Sequence, residues 1–138
     1  MTPTDPSAAR LIDAARQARL RAHAPFSRFL VGAAIEAPDG RVLTGCNVES
    51  ASYGLTMCAE RVAVFKAFSE GVTSGVRVAV VADTAEPTPP CGACRQWLWE
   101  FGNDMEVILA DLAGEKARFR LRELLPHAFD ARLLGTRP

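Results

Sequence analysis

The chain has 138 residues, 49% hydrophobic and 23% charged, and its sixteen basic and sixteen acidic side chains cancel. That length predicts one domain over residues 1–138, and the composition excludes a disordered chain. Zero net charge gives no general pull toward nucleic acid or anionic lipid, so neither is an expected partner, and it permits self-association.

The start, Met1 to Pro6, has neither a basic end nor an apolar core, so no signal peptide is expected. No apolar run approaches the ~18 residues of a spanning helix. A cytoplasmic, reducing compartment follows, where free thiols outlast disulfides.

Asp5 and Pro6 read as a helix cap and first turn, and the apolar spacing predicts a helix over Ser7–Ala22, ended by Pro25. Phe29–Glu36 and Arg41–Cys46 read as strands around the turn Pro38-Asp39-Gly40, a hairpin. Met57–Glu70 reads as a second helix capped by Gly71. Val76–Ala82 reads as a strand buried on both faces. Pro87, Pro89 and Pro90 stiffen a loop, and Cys91–Phe101 reads as a third helix closed by Gly102. Met105–Ala110 and Ala117–Leu121 read as further strands, and Leu121–Leu125 as a short helix. The expected fold class is α/β: a three-layer α/β/α sandwich around a mixed sheet of about five strands, largely parallel apart from the hairpin.

The four cysteines are Cys46, Cys58, Cys91 and Cys94. A Cys-x-x-Cys pair in such a chain reads as metal or redox chemistry rather than as a disulfide framework. Cys58-Ala59-Glu60-Arg61 and Pro90-Cys91-Gly92-Ala93-Cys94-Arg95-Gln96 each open a predicted helix. Helix starts carry unpaired N–H groups and partial positive charge, which favour thiolates. Cys91 and Cys94 lie one turn apart and Cys58 can join them. Three thiolates suit Zn²⁺, and neither histidine lies near either motif, so the fourth position is expected to be open to water. Glu60, two residues past Cys58, is placed to move protons there. Arg61 or Arg95 could donate to thiolate sulfur and offset the anionic charge. Cys46 reads as a small buried residue. His23 and His127 read as surface or packing residues. Trp97 and Trp99 cannot face the same side of one helix, so one is expected in the core and the other at a subunit contact.

These motifs, with Ala24-Pro25-Phe26-Ser27, Val31-Gly32-Ala33-Ala34, Gly45-Cys46-Asn47-Val48-Glu49, Ala51-Ser52-Tyr53, Phe65-Lys66-Ala67 and Glu123-Leu124-Leu125-Pro126, resemble the short-chain, homotetrameric branch of the cytidine deaminase family. The resemblance implies zinc held by Cys58, Cys91 and Cys94, with Glu60 as the proton shuttle. It implies that Phe29, Asn47, Glu49, Ala59 and Phe129 contact a pyrimidine nucleoside, with Asn47 and Glu49 on the 3′-hydroxyl. Phe29 would pack on the pyrimidine, and Phe129 would come from a neighbouring subunit of a homotetramer. The implied reaction is hydrolytic deamination of cytidine, and of deoxycytidine, in pyrimidine salvage. The chain departs from the family pattern at His23 and Phe26, where tyrosine is expected, and at Ser50, where asparagine is expected. Two alternatives stay open: a deaminase of a modified or acylated cytosine nucleoside or another aminated heterocycle, and a catalytically silent zinc module. Standing alone, the Cys-x-x-Cys pair also fits a structural zinc knuckle or a redox pair.

Overall fold

The computed structural model describes residues 5–135, so Met1–Thr4, most of the segment read as lacking a signal peptide, lie outside the described residues. Helix α1 covers Pro6–Arg19; the Asp5 carboxylate accepts from Ala8 N at 2.9 Å, as a cap should. The helix stops three residues short of the expected Ala22. His23 is taken instead by a bridge to Val48: its N–H donates to Asn47 O and its carbonyl accepts from Glu49 N.

Strands β1 (Val31–Glu36) and β2 (Val42–Cys46) form the expected antiparallel hairpin. Helix α2 covers Ala59–Ser69 rather than starting at Met57, because Met57 and Val48 exchange both backbone hydrogen bonds. Gly71 ends it with a positive φ of 82°. Strand β3 (Arg77–Ala82) leads to helix α3 (Gly92–Gly102), and Asn103, not Gly102, takes the left-handed position beyond it, with φ 56°. Gly102 is required for another reason: a Cβ there would lie 2.6 Å from Gly75 O. Strands β4 (Glu106–Ala110) and β5 (Glu115–Arg120) and the short helix α4 (Leu121–Leu124) follow, with 3-10 turns at Tyr53–Leu55 and Ala131–Leu134 that the sequence pattern does not reveal.

The sheet order is β2-β1-β3-β4-β5. It is mixed, but the expectation of a largely parallel core is wrong: only β3 and β4 pair in parallel among the described residues. The reason is topological. Strands β2 and β3 both run antiparallel to β1, hence parallel to each other, and α2 joins them as a crossover helix should. β1 lies between them, so the parallel relationship never becomes a pairing.

Successive residues of the central strands face opposite layers. Ile35, Val78, Val80, Val107 and Leu109 pack with Ala63, Val64, Leu98 and Phe101 of α2 and α3. Ala34, Ala79, Val81 and Ile108 pack with Leu11, Ile12 and Ala15 of α1. This is the three-layer sandwich. Among the described residues, no helix is long and apolar enough to cross a membrane.

Helix α2 lies close on β2 because Gly45 has no side chain. A Cβ there would come within 2.4 Å of Ala59 O and 2.5 Å of Ala63 N. Gly45→Ala is expected to cost about 3 kcal/mol, lowering the melting temperature by roughly 10 °C. Gly54→Ala, which meets nothing within 4 Å, leaves it unchanged. Equal melting temperatures for the two variants would refute this close-packing account.

Candidate metal centre and adjoining cavities

The N-termini of α2 and α3 meet at the edge where β2 and β3 end. Cys58 and Cys91 are the capping residues of the two helices, in extended conformation, and Cys94 sits one turn into α3. Their sulfur atoms lie within 4.8 Å of one another. Cys91 Sγ is 3.7 Å from Cys58 Sγ and 3.4 Å from Cys94 Sγ. No fourth histidine, cysteine or carboxylate joins this cluster among the described residues. Cys46 stays outside it, half-buried rather than fully buried at the end of β2.

The donor set suits zinc. A tetrahedral ion at ~2.3 Å from each sulfur spaces the sulfurs by about 3.8 Å, close to the spacing found here. Without a cation, three thiols this close compete for charge. Cys58 is pulled down to about 5, first by a hydrogen bond from Cys94 and then by Arg61 and Cys91. Cys94 is pushed up, because it is the partner that keeps its proton and because it is buried. A divalent cation removes this competition and lets all three ionise.

Arg61 and Arg95 diverge. Arg61 Nη2 lies 3.4 Å from Cys58 Sγ. Arg95 does not reach sulfur. Its Nε donates to Pro90 O and its Nη1 to Leu124 O, both at 2.8 Å, because two backbone carbonyls are better acceptors than a thiol. Its contribution is to tie the loop before Cys91 to the end of α4.

Glu60 is 4% exposed, on the first turn of α2. Burial pushes its carboxyl up to about 7, outweighing the lowering by its own backbone N–H and by Arg61, while Cys58 adds to the rise. Such a group can both take and release a proton near neutral pH. Glu60 and Cys58 line a cavity of about 220 Å³ with Phe29, Val31, Asn47, Ala59 and Cys91. Thr56, Met57, Val80, Thr88 and Pro89 complete the wall. None of these last five is marked as a site residue by the sequence. The nearest signal is the proline-rich loop before Cys91, whose stiffness suits a wall.

Asn47 is buried and bridges the loop before β1: Oδ1 accepts from Val31 N at 2.9 Å, and Nδ2 donates to Phe29 O at 2.7 Å. Glu49 lines a second cavity of about 400 Å³ with Phe26, Ser27, Tyr53 and Thr56. Thr56 belongs to both cavities. The Ser27 hydroxyl, more than any other neighbour, holds the Glu49 carboxyl below its usual range. Ser50 accepts from Ser52 N through its hydroxyl, while its own N–H donates to Thr56 Oγ1.

Phe129 does not line the inner cavity. It stands 54% exposed on the C-terminal segment. Its carbonyl accepts from Gln96 Nε2 at 2.8 Å, and the neighbouring Asp130 accepts from Trp99 Nε1 at 2.9 Å. The tryptophans do diverge: Trp99 packs on the core beneath α3, and Trp97 lies edge-on to Phe65, at 5.0 Å, with one side open.

A family model described as the cytidine and deoxycytidylate deaminase zinc-binding region matches residues 6–110. The chain belongs to this family. A cytidine deaminase of Halalkalibacterium halodurans is 55% identical over 122 residues, covering 88% of this chain and 92% of that one. A cytidine deaminase of Sporosarcina psychrophila is 50% identical over 121 residues, covering 87% and 89%. The crystal structure of a cytidine deaminase from Burkholderia pseudomallei superposes with a TM-score of 0.84 at 48% identity, covering 88% of this chain and 98% of that one. Zinc is accordingly the cofactor, and the three-sulfur cluster is a potential site for it.

Purified protein is expected to carry about one zinc per chain. Cys94→Ala should retain less than about a tenth of it, and Cys46→Ala all of it. Loss of zinc in Cys46→Ala, or its retention in Cys94→Ala, would move the site elsewhere; both are read by elemental analysis of the dialysed proteins.

Proposed function

We propose that the chain hydrolyses cytidine and deoxycytidine to uridine and deoxyuridine, releasing ammonia. The observation that carries this is the buried Glu60 carboxyl beside three clustered sulfurs, on the wall of a cavity of about 220 Å³. Bound zinc, held by Cys58, Cys91 and Cys94, supplies a Lewis acid that makes water nucleophilic at neutral pH. Glu60 takes a proton from the attacking water and passes it to N3 of the cytosine ring, which makes C4 electrophilic. The C4–O bond forms and C4 becomes tetrahedral. Glu60 then carries the proton of the new C4 hydroxyl to the amino group. The C4–N bond breaks, ammonia leaves, and the C4 carbonyl of uridine forms. Atoms balance: one water enters and one ammonia departs.

Phe29 packs against the pyrimidine, and Ala59 closes the wall beside the reacting edge. Asn47 and Glu49 bind the 3′-hydroxyl of the sugar. Arg61 stabilises the charge on Cys58 through its hydrogen bond, and Arg95 holds the backbone that presents Cys91. The substrate partner is a small pyrimidine nucleoside rather than a nucleic acid or a membrane, in keeping with zero net charge. Three unoxidised thiols in contact call for a reducing compartment, the cytoplasm.

The protein assembles as a homotetramer with sites shared between subunits. Tyr53 is 74% exposed, Leu55 68% and Phe129 54% in the single chain, apolar surface of the kind an interface covers. Phe129 reaches a neighbour's site.

Glu60→Gln is expected to keep zinc and fold while kcat falls about 10³-fold or more. A variant with more than about a tenth of normal turnover removes Glu60 from the proton path. Sharing of sites is checked by mixing. Glu60→Gln and Phe129→Ala chains, each weak alone, should regain activity when dissociated and reassembled together, because mixed oligomers contain sites with both residues intact. No regain would confine each site to one chain.

A further inference from the structure

The Ser27 hydroxyl links the two cavities. It donates to Glu49 Oε2, in the outer cavity. It also accepts from Phe29 N at 3.0 Å, and the Phe29 ring lines the inner cavity. Glu49 Oε1 meanwhile receives the backbone N–H groups of Phe26, at 3.0 Å, and Ser27, at 3.1 Å. A carboxylate offers about four acceptor positions. Three of these are taken by one short loop, which leaves one on Oε2. Arg28, between Ser27 and Phe29, is held left-handed at φ 61°, a conformation that costs a residue with a side chain. That turn is what brings the N–H of Phe29 back onto the Ser27 oxygen.

We infer that Ser27 is a positioning residue for substrate: its hydroxyl leaves Glu49 a single acceptor site facing the outer cavity, in register with the Phe29 ring, so that the site reads one hydroxyl on the sugar. This rests on the nucleoside-deaminase reading above. Asn47 reinforces the register from the other side, since its amide donates to the Phe29 carbonyl. Without the Ser27 hydroxyl, Glu49 would keep its two backbone bonds on Oε1, but Oε2 would present two open acceptor positions and would discriminate poorly between a sugar with that hydroxyl and one without it.

The test uses zinc-loaded protein and ligands it does not turn over. Uridine and 3′-deoxyuridine are titrated calorimetrically into the wild type, Ser27→Ala and Ser27→Thr. Ser27→Ala should bind uridine about tenfold more weakly, the effect of one well-placed hydrogen bond, and 3′-deoxyuridine less than about threefold more weakly. The preference between the two ligands therefore shrinks. Ser27→Thr, which keeps the hydroxyl, should restore it. Zinc content and melting temperature should be the same in all three proteins. Unchanged uridine affinity in Ser27→Ala, or equal weakening toward both ligands, overturns the inference. Ammonia release from cytidine by the wild type is measured alongside. Deamination without Ser27 dependence overturns only this inference. Hydroxyl-dependent uridine binding without deamination overturns only the deaminase reading.

Discussion

The molecule is organised around the convergence of two helix N-termini. Backbone N–H groups at a helix start have no intrahelical partner and carry partial positive charge. Two such ends in contact repel unless negative charge lies between them, and thiolate sulfurs are what this chain puts there. Cys58 and Cys91 cap their helices and Cys94 follows one turn later, so the sulfurs sit within 4.8 Å of one another. The three-layer packing that brings the helices together depends in turn on small residues beneath α2, above all Gly45, which lets the helix backbone approach the sheet.

The same packing sets the chemistry of Glu60. On an exposed helix start this carboxyl would be an ordinary anion, favoured by the dipole. Here burial wins over the dipole, over its own backbone N–H and over Arg61, and its proton affinity rises to near neutrality. The inner cavity gives that proton a destination, since Glu60 lines it together with Phe29 and Asn47. A shared residue, Thr56, joins it to the outer cavity around Glu49, so a ligand with a flat ring and a polyol part has complementary surfaces side by side.

The two motifs that carry the metal chemistry are legible in the chain because each is local. The spacing of Cys91 and Cys94 is one helical turn, Glu60 is two residues from Cys58, and a glycine or a proline marks where helices stop or loops stiffen. Element identities follow from periodicity for the same reason, while most ends differ by one to three residues, most tellingly where a distant segment intervenes. Val48 is the clearest case. Its neighbours Asn47 and Glu49 bond the backbone of His23, just past the first helix, and Val48 itself bonds Met57 and keeps it out of the second, by backbone hydrogen bonds that no short-range pattern encodes. Arg95 is the converse case: a cation beside a cysteine in sequence whose donors end on carbonyls of Pro90 and Leu124.

By itself, then, the sequence determined the kinds of elements, from residues within a turn or two of one another, and the layered α/β class, from their order; it marked the Cys58–Glu60 motif and the Cys-x-x-Cys pair, which packing joins across 33 residues of chain. Tertiary structure alone decided that β1 enters between β2 and β3 and makes the sheet mostly antiparallel. It also decided that Glu60 is buried, and that the loop before β1 closes on Asn47 and Glu49 through Phe26, Ser27, Phe29 and Val31. The physical reason is common to all three. Strand order, desolvation and the choice among competing hydrogen-bond partners are set by groups far apart along the chain, and they acquire definite values only when the layers pack.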